Sequence, residues 1–277
     1  MLSHEFMRNA LLAGGFVALA CGACGWFVVL RGQVFAGDAL SHVAFPGALA
    51  AAAAGLDQRV GLFIATVAVA VGIGLLGRGA VRGGAGGAAG GAPADDTAIG
   101  IAFTFILGLG LFFLTLFSLG SAGGAGIQAA HTLFGSIFGL DAGEARLAAG
   151  IGLATTVLVL GISRPLLFAT LAPDVAAARG VPTRALGVAF LGLVGLVAAE
   201  ATQAVGALLL LGLLAAPAAT AHRITGRPFA GLVLAGGLAA VAMLAGLVLA
   251  YALPWLPPST AVIGVAVAIY GASVVLS

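Results

Sequence analysis

Two side chains of the kind that bind metal ions lie four residues apart in the run G-D-A-L-S-H, residues 37–42. On a helix, Asp38 and His42 project from one face. A carboxylate oxygen and an imidazole nitrogen suit divalent ions such as zinc, manganese or iron, and Ser41 is a secondary candidate. One such pair is half of a four-ligand site, which two copies at a dimer axis would complete. The alternative is an Asp that caps the helix start with a His hydrogen-bonded beside it, and the pattern leaves both open.

The elements that must position this pair are membrane helices. The 277 residues are 62% hydrophobic and 7% charged, whereas soluble domains have about 25% charged residues. Apolar runs of about 20 residues recur, which is the length that a helix needs to cross a bilayer. We therefore predict an all-α polytopic membrane bundle, one transmembrane domain over residues 1–277. Nine spans are predicted, namely Asn9–Leu30, Gly37–Gly55, Val60–Gly77, 98–119, Leu147–Leu171, Ala185–Ala199, Ala204–Ala221, Phe229–Leu253 and Thr260–Leu276.

Orientation follows from the arginines, because basic residues accumulate on the cytoplasmic side. With the N-terminus outside, eight of the eleven arginines fall inside. This topology makes residues 78–96, which are rich in glycine, a cytoplasmic loop, and it also places residues 172–184 in the cytoplasm.

The second of these segments has the pattern of a short helix. Pro173 and Asp174 suit a helix start, small residues follow, and Arg179 and Gly180 suit a helix end. An ordinary cytoplasmic connector has the same pattern.

Two further polar residues, Glu200 and Gln203, are predicted where the sixth and seventh spans meet on the outer side, as candidate secondary residues of the path. Glu200 is either a cation-attracting residue at the mouth of a path or a solvated residue at a helix end, and the pattern favours the second.

Small residues indicate how the helices pack. The chain has 45 glycines, and pairs such as Gly72 with Gly74 and Gly108 with Gly110 are predicted to let helix backbones approach closely. Cys21 and Cys24 form a C-x-x-C within the first span, which we interpret as a packing face rather than a redox or metal pair.

Several functions are disfavoured by the composition. The net charge of +2 gives no support for a nucleic-acid partner. All eleven basic residues are arginines, so the chain lacks the lysine of a P-loop, and any ATP chemistry must come from a partner. Neither H-E-x-x-H nor a serine in G-x-S-x-G is found, which argues against an intramembrane enzyme.

The run from Phe6 to Ala50, with V-V-L-R ahead of G-D-A-L-S-H, resembles the opening of the zinc and manganese ABC-transporter permeases, the ABC-3 family. The resemblance continues in order at 96–100, 133–136, 173–182 and 205–221. It implies a type II ABC importer permease fold in a bacterial inner or plasma membrane, with Asp38 and His42 on the metal path. It further implies a homodimer, two ATP-binding cassette subunits seated on the 172–184 segment, and an extracytoplasmic metal-binding protein. Zinc, manganese or iron(II) is then cargo, and no cofactor is permanently bound.

Two other transporters remain as alternatives. One is a permease of similar architecture for a metal chelate such as a siderophore or cobalamin, whose wider path needs no bare metal ligands. The other is a proton-coupled secondary transporter, in which Asp38, His42 and Glu200 form a proton relay.

Overall fold

The computed structural model describes residues 4–76, 93–120, 135–207 and 210–276, and these ranges contain helices and connecting turns but no strand. An all-α fold was predicted and is confirmed for this part of the chain. The helices are α1 (Glu5–Leu30), α2 (Val34–Ala53), α3 (Gln58–Leu76), α4 (Pro93–Gly120), α5 (Ala142–Leu171), α6 (Pro173–Ala178), α7 (Thr183–Val205), α8 (Leu210–Ile224), α9 (Pro228–Ala252) and α10 (Pro258–Leu276), with a 3-10 turn at Ile137–Gly139.

Seven of the described helices are long and apolar enough to cross a membrane, so the predicted count of nine is not confirmed. The largest difference lies at the predicted span Ala204–Ala221. There α7 continues to Val205, and the backbone breaks at Gly206, whose φ of 95° is in the left-handed region. The helix that follows, α8, has 15 residues, fewer than the roughly 20 that a crossing helix needs. Composition did not locate this break because both sides of it are apolar.

Most of the predicted loop at 78–96 lies outside the described residues, but α4 begins at Pro93, within that range. The chain divides into two compact units, and α5 and α7 contribute residues to both. Unit 1 comprises residues 1–29, 133–157 and 200–277. Unit 2 comprises residues 30–132 and 158–199.

In unit 1, α1 packs so closely against its neighbours that only glycine, which has no side chain, fits where the helices cross. Gly22 of α1 lies against the backbone of Ala235 in α9, and Gly25 lies against the carbonyl of Leu214 in α8. Both cysteines of α1 are buried and free of a disulfide, as expected for packing residues. The hydrophobic effect does not drive helix association in a bilayer, so van der Waals packing between closely spaced backbones stabilises these crossings instead.

In unit 2, α2 packs closely against a neighbouring helix at glycines, as α1 does in unit 1. Gly47 of α2 and Gly61 of α3 face each other, each within van der Waals contact of the other's carbonyl. Ala44, Ala48, Leu62 and Ala199 form a buried cluster around this crossing. The helix that carries the predicted metal ligands is therefore packed closely against α3.

Candidate metal path and coupling segment

Asp38 and His42 lie on one face of α2, as predicted, and their side chains are close together. The distance from Asp38 Oδ1 to His42 Nε2 is 3.9 Å. Two bonds to a single zinc ion add up to about 4.2 Å, so both atoms can reach one ion. The side chains are 31% and 17% exposed, respectively, although α2 is one of the helices of membrane-spanning length.

The capping alternative does not fit this geometry. Helix α2 begins at Val34 after Gln33, so Asp38 lies inside the helix rather than at its start. A distance of 3.9 Å is also too long for a hydrogen bond between the two side chains. Ser41 is fully buried and donates its hydroxyl proton to the carbonyl of Asp38 at 2.6 Å, so that hydroxyl is engaged with its own helix.

Helix α4 holds the imidazole in place. The ring of Phe103 meets the ring of His42 edge to face, with the centroids 5.3 Å apart. One turn further along α2, Gly110 of α4 lets Pro46 approach within 3.2 Å of where a Cβ would lie. Because Pro46 has no N–H, the carbonyl of His42 also lacks its usual helical donor, which adds a polar oxygen near the pair.

The pair is an incomplete site by itself. Among the described residues, no group of three or more His, Cys, Asp or Glu side chains is arranged to hold a metal ion. A divalent transition metal commonly takes four or more ligands. A complete site built on Asp38 and His42 therefore needs further donors, such as a backbone carbonyl, water or side chains from outside the described part of one chain.

Glu200 differs from the sequence prediction in its surroundings. It lies inside α7, five residues before the helix end, and is only 3% exposed, whereas Gln203 lies in the last turn. The prediction of a solvated residue at Glu200 is therefore wrong. Helix α7 continues six residues past the predicted end of the span at Ala199, so Glu200 is not the helix-end residue that the sequence indicated.

Gln203 is half-buried, and its backbone carbonyl accepts a hydrogen bond from the N–H of Ser136 at 3.1 Å. Glu200 and Gln203 both stay candidates for a secondary part of the path.

The segment 172–184, called the coupling segment here, has the predicted local structure. Pro173 begins α6, Asp174 lies in its first turn, and the helix ends after Ala178. Gly180 has φ of 80°, and the N–H of Val181 donates to the carbonyl of Ala176 at 3.0 Å. This is the glycine-terminated helix end known as a Schellman motif. Asp174 and Arg179 are both exposed.

A groove of about 850 Å³ lies beside the coupling segment, in unit 2. It is formed where the end of α3 meets the start of α7. The guanidinium of Arg184 donates to the carbonyl of Leu75 at 3.1 Å, which joins these two ends. The lining is mostly apolar, with Leu75, Ala177, Gly180, Val181, Pro182, Thr183, Arg184, Ala185, Val188 and Ala189.

Replacing Gly180 with Ala is expected to weaken the coupling segment without a steric clash. No atom lies within 4 Å of the Cβ position, so the cost is the left-handed backbone, about 1–2 kcal/mol. We expect a lower thermal midpoint in detergent and easier proteolysis after Arg179. Gly226 also has open space around its Cβ position but no positive φ, so it is the matched control. Gly226→Ala is expected to leave the thermal midpoint and the rate of proteolysis unchanged. Equal behaviour of the two variants would contradict the backbone argument.

A residue to which the pattern gave no role of its own is Arg31, which follows α1 directly. It ends the V-V-L-R run of the resemblance and its charge indicated orientation, but it is 5% exposed and contacts Gln33, Thr170 of α5 and Phe190 of α7. The sequence signals were its place in that run and its adjacency to the start of α2.

Comparison with known proteins places this arrangement in a family. Residues 3–277 match the ABC 3 transport family, which is nearly the whole chain. The chain belongs to the ABC 3 transport family. It is therefore a multi-pass membrane permease, and the resemblance found in the sequence is confirmed.

Several ABC 3 relatives are similar over most of their length. The manganese transport system membrane protein MntC of Halalkalibacterium halodurans is 32% identical over 247 residues, covering 89% of this chain and 79% of that protein. The manganese import system permease protein ScaB of Streptococcus parasanguinis is 28% identical, covering 90% of this chain and 83% of that protein.

The solved structures extend the comparison to the fold. PsaBC from Streptococcus pneumoniae in complex with Fab matches with a TM-score of 0.81 and 26% identity, covering 98% of this chain and 91% of that chain. An inward-facing putative metal-chelate type ABC transporter matches with a TM-score of 0.69 at 18% identity, covering 99% of this chain and 85% of that chain. The second likeness concerns the fold alone.

Proposed function

We propose that this chain is the permease subunit of an ATP-driven importer for a divalent transition-metal ion, with Mn²⁺ as the first candidate. The observation that carries the proposal is the pair on α2, whose Oδ1 and Nε2 atoms are 3.9 Å apart. The names of the MntC and ScaB relatives favour manganese over the chelate alternative. Zn²⁺ and Fe²⁺ remain to be compared, because one carboxylate and one imidazole bind all three ions.

We further propose that two copies of the chain form the pore. Asp38 is 31% exposed on a helix of spanning length, and a charged group facing lipid there would be costly. Two α2 helices across a dimer axis would shield both carboxylates and bring two Asp and two His side chains to one ion. The site is then complete with four ligands, yet each chain holds only half of it. An ion held by two half-sites can leave when they separate.

The coupling segment is proposed to seat in a separate ATP-binding cassette subunit, one for each permease copy. Support comes from its exposed short helix and from the apolar groove beside it. Closure of the two ATPase subunits displaces this segment, the helices rearrange, and the pore opens to the other side of the membrane. An extracytoplasmic metal-binding protein delivers the ion.

The test is transport by the complete complex in proteoliposomes. With its ATPase subunits present, the permease is expected to accumulate radioactive Mn²⁺ only when ATP is available to them. An uncoupler should have no effect, and an iron–siderophore chelate should not compete. Uptake driven by a proton gradient without ATP would establish the secondary-transport alternative instead. Uptake of chelate but not of free ion would establish the chelate alternative. Competition by unlabelled Zn²⁺ and Fe²⁺ ranks the ions.

A further inference from the structure

A buried guanidinium lies at the turn between α1 and α2. Arg31 is 5% exposed, and Gly32, with φ of 66°, makes the tight turn that leads into Gln33 and α2. Burial lowers the pKa of Arg31 to about 10, which still leaves the side chain charged at neutral pH. A buried charge is tolerated where its surroundings supply hydrogen bonds and polarisable groups.

Three parts of unit 2 supply those groups to Arg31. Its Nε donates to Gln33 Oε1 at 3.2 Å, and its Nη1 donates to Thr170 Oγ1 at 3.4 Å. The guanidinium also lies over the ring of Phe190, 5.6 Å from the centroid. The hydroxyl of Thr170 donates its own proton to the carbonyl of Leu166 at 2.7 Å, so its lone pairs are oriented to accept from Arg31.

These partners lie where the parts of the proposed importer join. Thr170 is three residues before Pro173, and Phe190 is on α7, which begins inside the coupling segment at Thr183. Gln33 lies directly before the first residue of α2. Asp38 is five residues after Gln33, which is about 7.5 Å along the helix axis. The planar, always charged guanidinium therefore joins the helices on both sides of the coupling segment to the base of the helix with the metal ligands.

We infer that Arg31 transmits movement of the coupling segment to α2, as a positioning residue that acts on Asp38 and His42 through their helix. This inference rests on the proposed function. When the coupling segment moves, the end of α5 carries Thr170 with it and the first turns of α7 carry Phe190, and Arg31 then moves the start of α2. Without the contacts of Arg31, ATP is still hydrolysed but fewer of these cycles move α2 and import an ion.

The test is the number of ATP molecules hydrolysed per Mn²⁺ ion imported by the complete complex in proteoliposomes. Thr170→Val removes the acceptor for Arg31 with little change of shape, and Thr170→Ser keeps it. A hydrogen bond to a charged group contributes about a factor of ten or more in an equilibrium. We expect Thr170→Val and Arg31→Lys to raise the ATP cost per ion about tenfold at near-normal basal ATPase activity, and Thr170→Ser to stay within about twofold of the wild type.

Each other outcome overturns the inference. If ATP hydrolysis and import fall together at an unchanged ratio, Arg31 is only structural. If Thr170→Val has the wild-type ratio, the contact does not transmit movement. Failure of Thr170→Val to assemble with the ATPase assigns the contact to folding. Failure of the proposed function is distinguishable, because the wild-type complex itself would then import no Mn²⁺.

Discussion

Asp38→Asn and His42→Gln are each expected to lower Mn²⁺ import about 100-fold or more while the complex still assembles. Each change replaces a strong ligand by a neutral amide, a weaker donor of similar size, in a half-buried position. Loss of even a supporting partner of a metal ligand costs about 10- to 100-fold in affinity or activity. In a homodimer every substitution acts twice, because both half-sites change. The measurement is the initial rate of ATP-dependent uptake of radioactive Mn²⁺.

Asp57→Asn is the control for this experiment. Asp57 is exposed, and its Oδ1 accepts from the N–H of Arg59 at 2.7 Å at the start of α3, a position where Asn caps as well as Asp. The control makes the same chemical change away from α2, so it is expected to import at the wild-type rate. Wild-type import by the Asp38→Asn, His42→Gln double variant would remove the pair from the metal path.

Gly25→Ala is expected to prevent normal packing of α1 and to destabilise the protein by about 3 kcal/mol, the upper part of the range for overpacked cores. A Cβ at this position would overlap the carbonyl oxygen of Leu214, which is backbone and cannot rotate away. The two helices would have to separate along a buried crossing. The measurements are the yield of monodisperse protein in mild detergent and its thermal midpoint.

Gly15→Ala is the matched control, on the same helix. A Cβ there meets a terminal methyl group of Leu244 at 3.9 Å, an ordinary van der Waals contact. This variant is expected to express normally and to unfold at or slightly above the wild-type temperature, because Ala favours helix over Gly. Equal yields for the two variants would show that the α1–α8 crossing can expand without cost.

The glycines show where sequence reasoning reaches its limit. Gly74 and Gly110 lie at helix contacts, as predicted, with neighbours about 3.1 and 3.2 Å from a Cβ position. Gly72 and Gly108, predicted on the same pattern, face open space. The small side chain is visible in the sequence, but the neighbour that requires it belongs to a distant segment.

The pair on α2 shows the opposite case. A spacing of four residues places Asp38 and His42 on one helical face whatever surrounds the helix, so their juxtaposition was determined by the sequence. The coupling segment is similar, because Pro173, Asp174 and Gly180 specify their own short helix through local backbone preferences. The multi-pass class followed from composition alone.

Only the tertiary structure decided the features that depend on neighbours. Glu200 is buried inside α7 although a solvated helix end was predicted there. The break between α7 and α8 at Gly206 lies within the predicted apolar span Ala204–Ala221, where hydropathy shows no interruption. The sequence predicts Arg31 as one of the cytoplasmic charges, but in the structure it donates a hydrogen bond to Thr170, which is 139 residues away in the chain. Periodicity and composition are local properties of the chain, whereas burial and long-range hydrogen bonds arise from which segments the fold brings together.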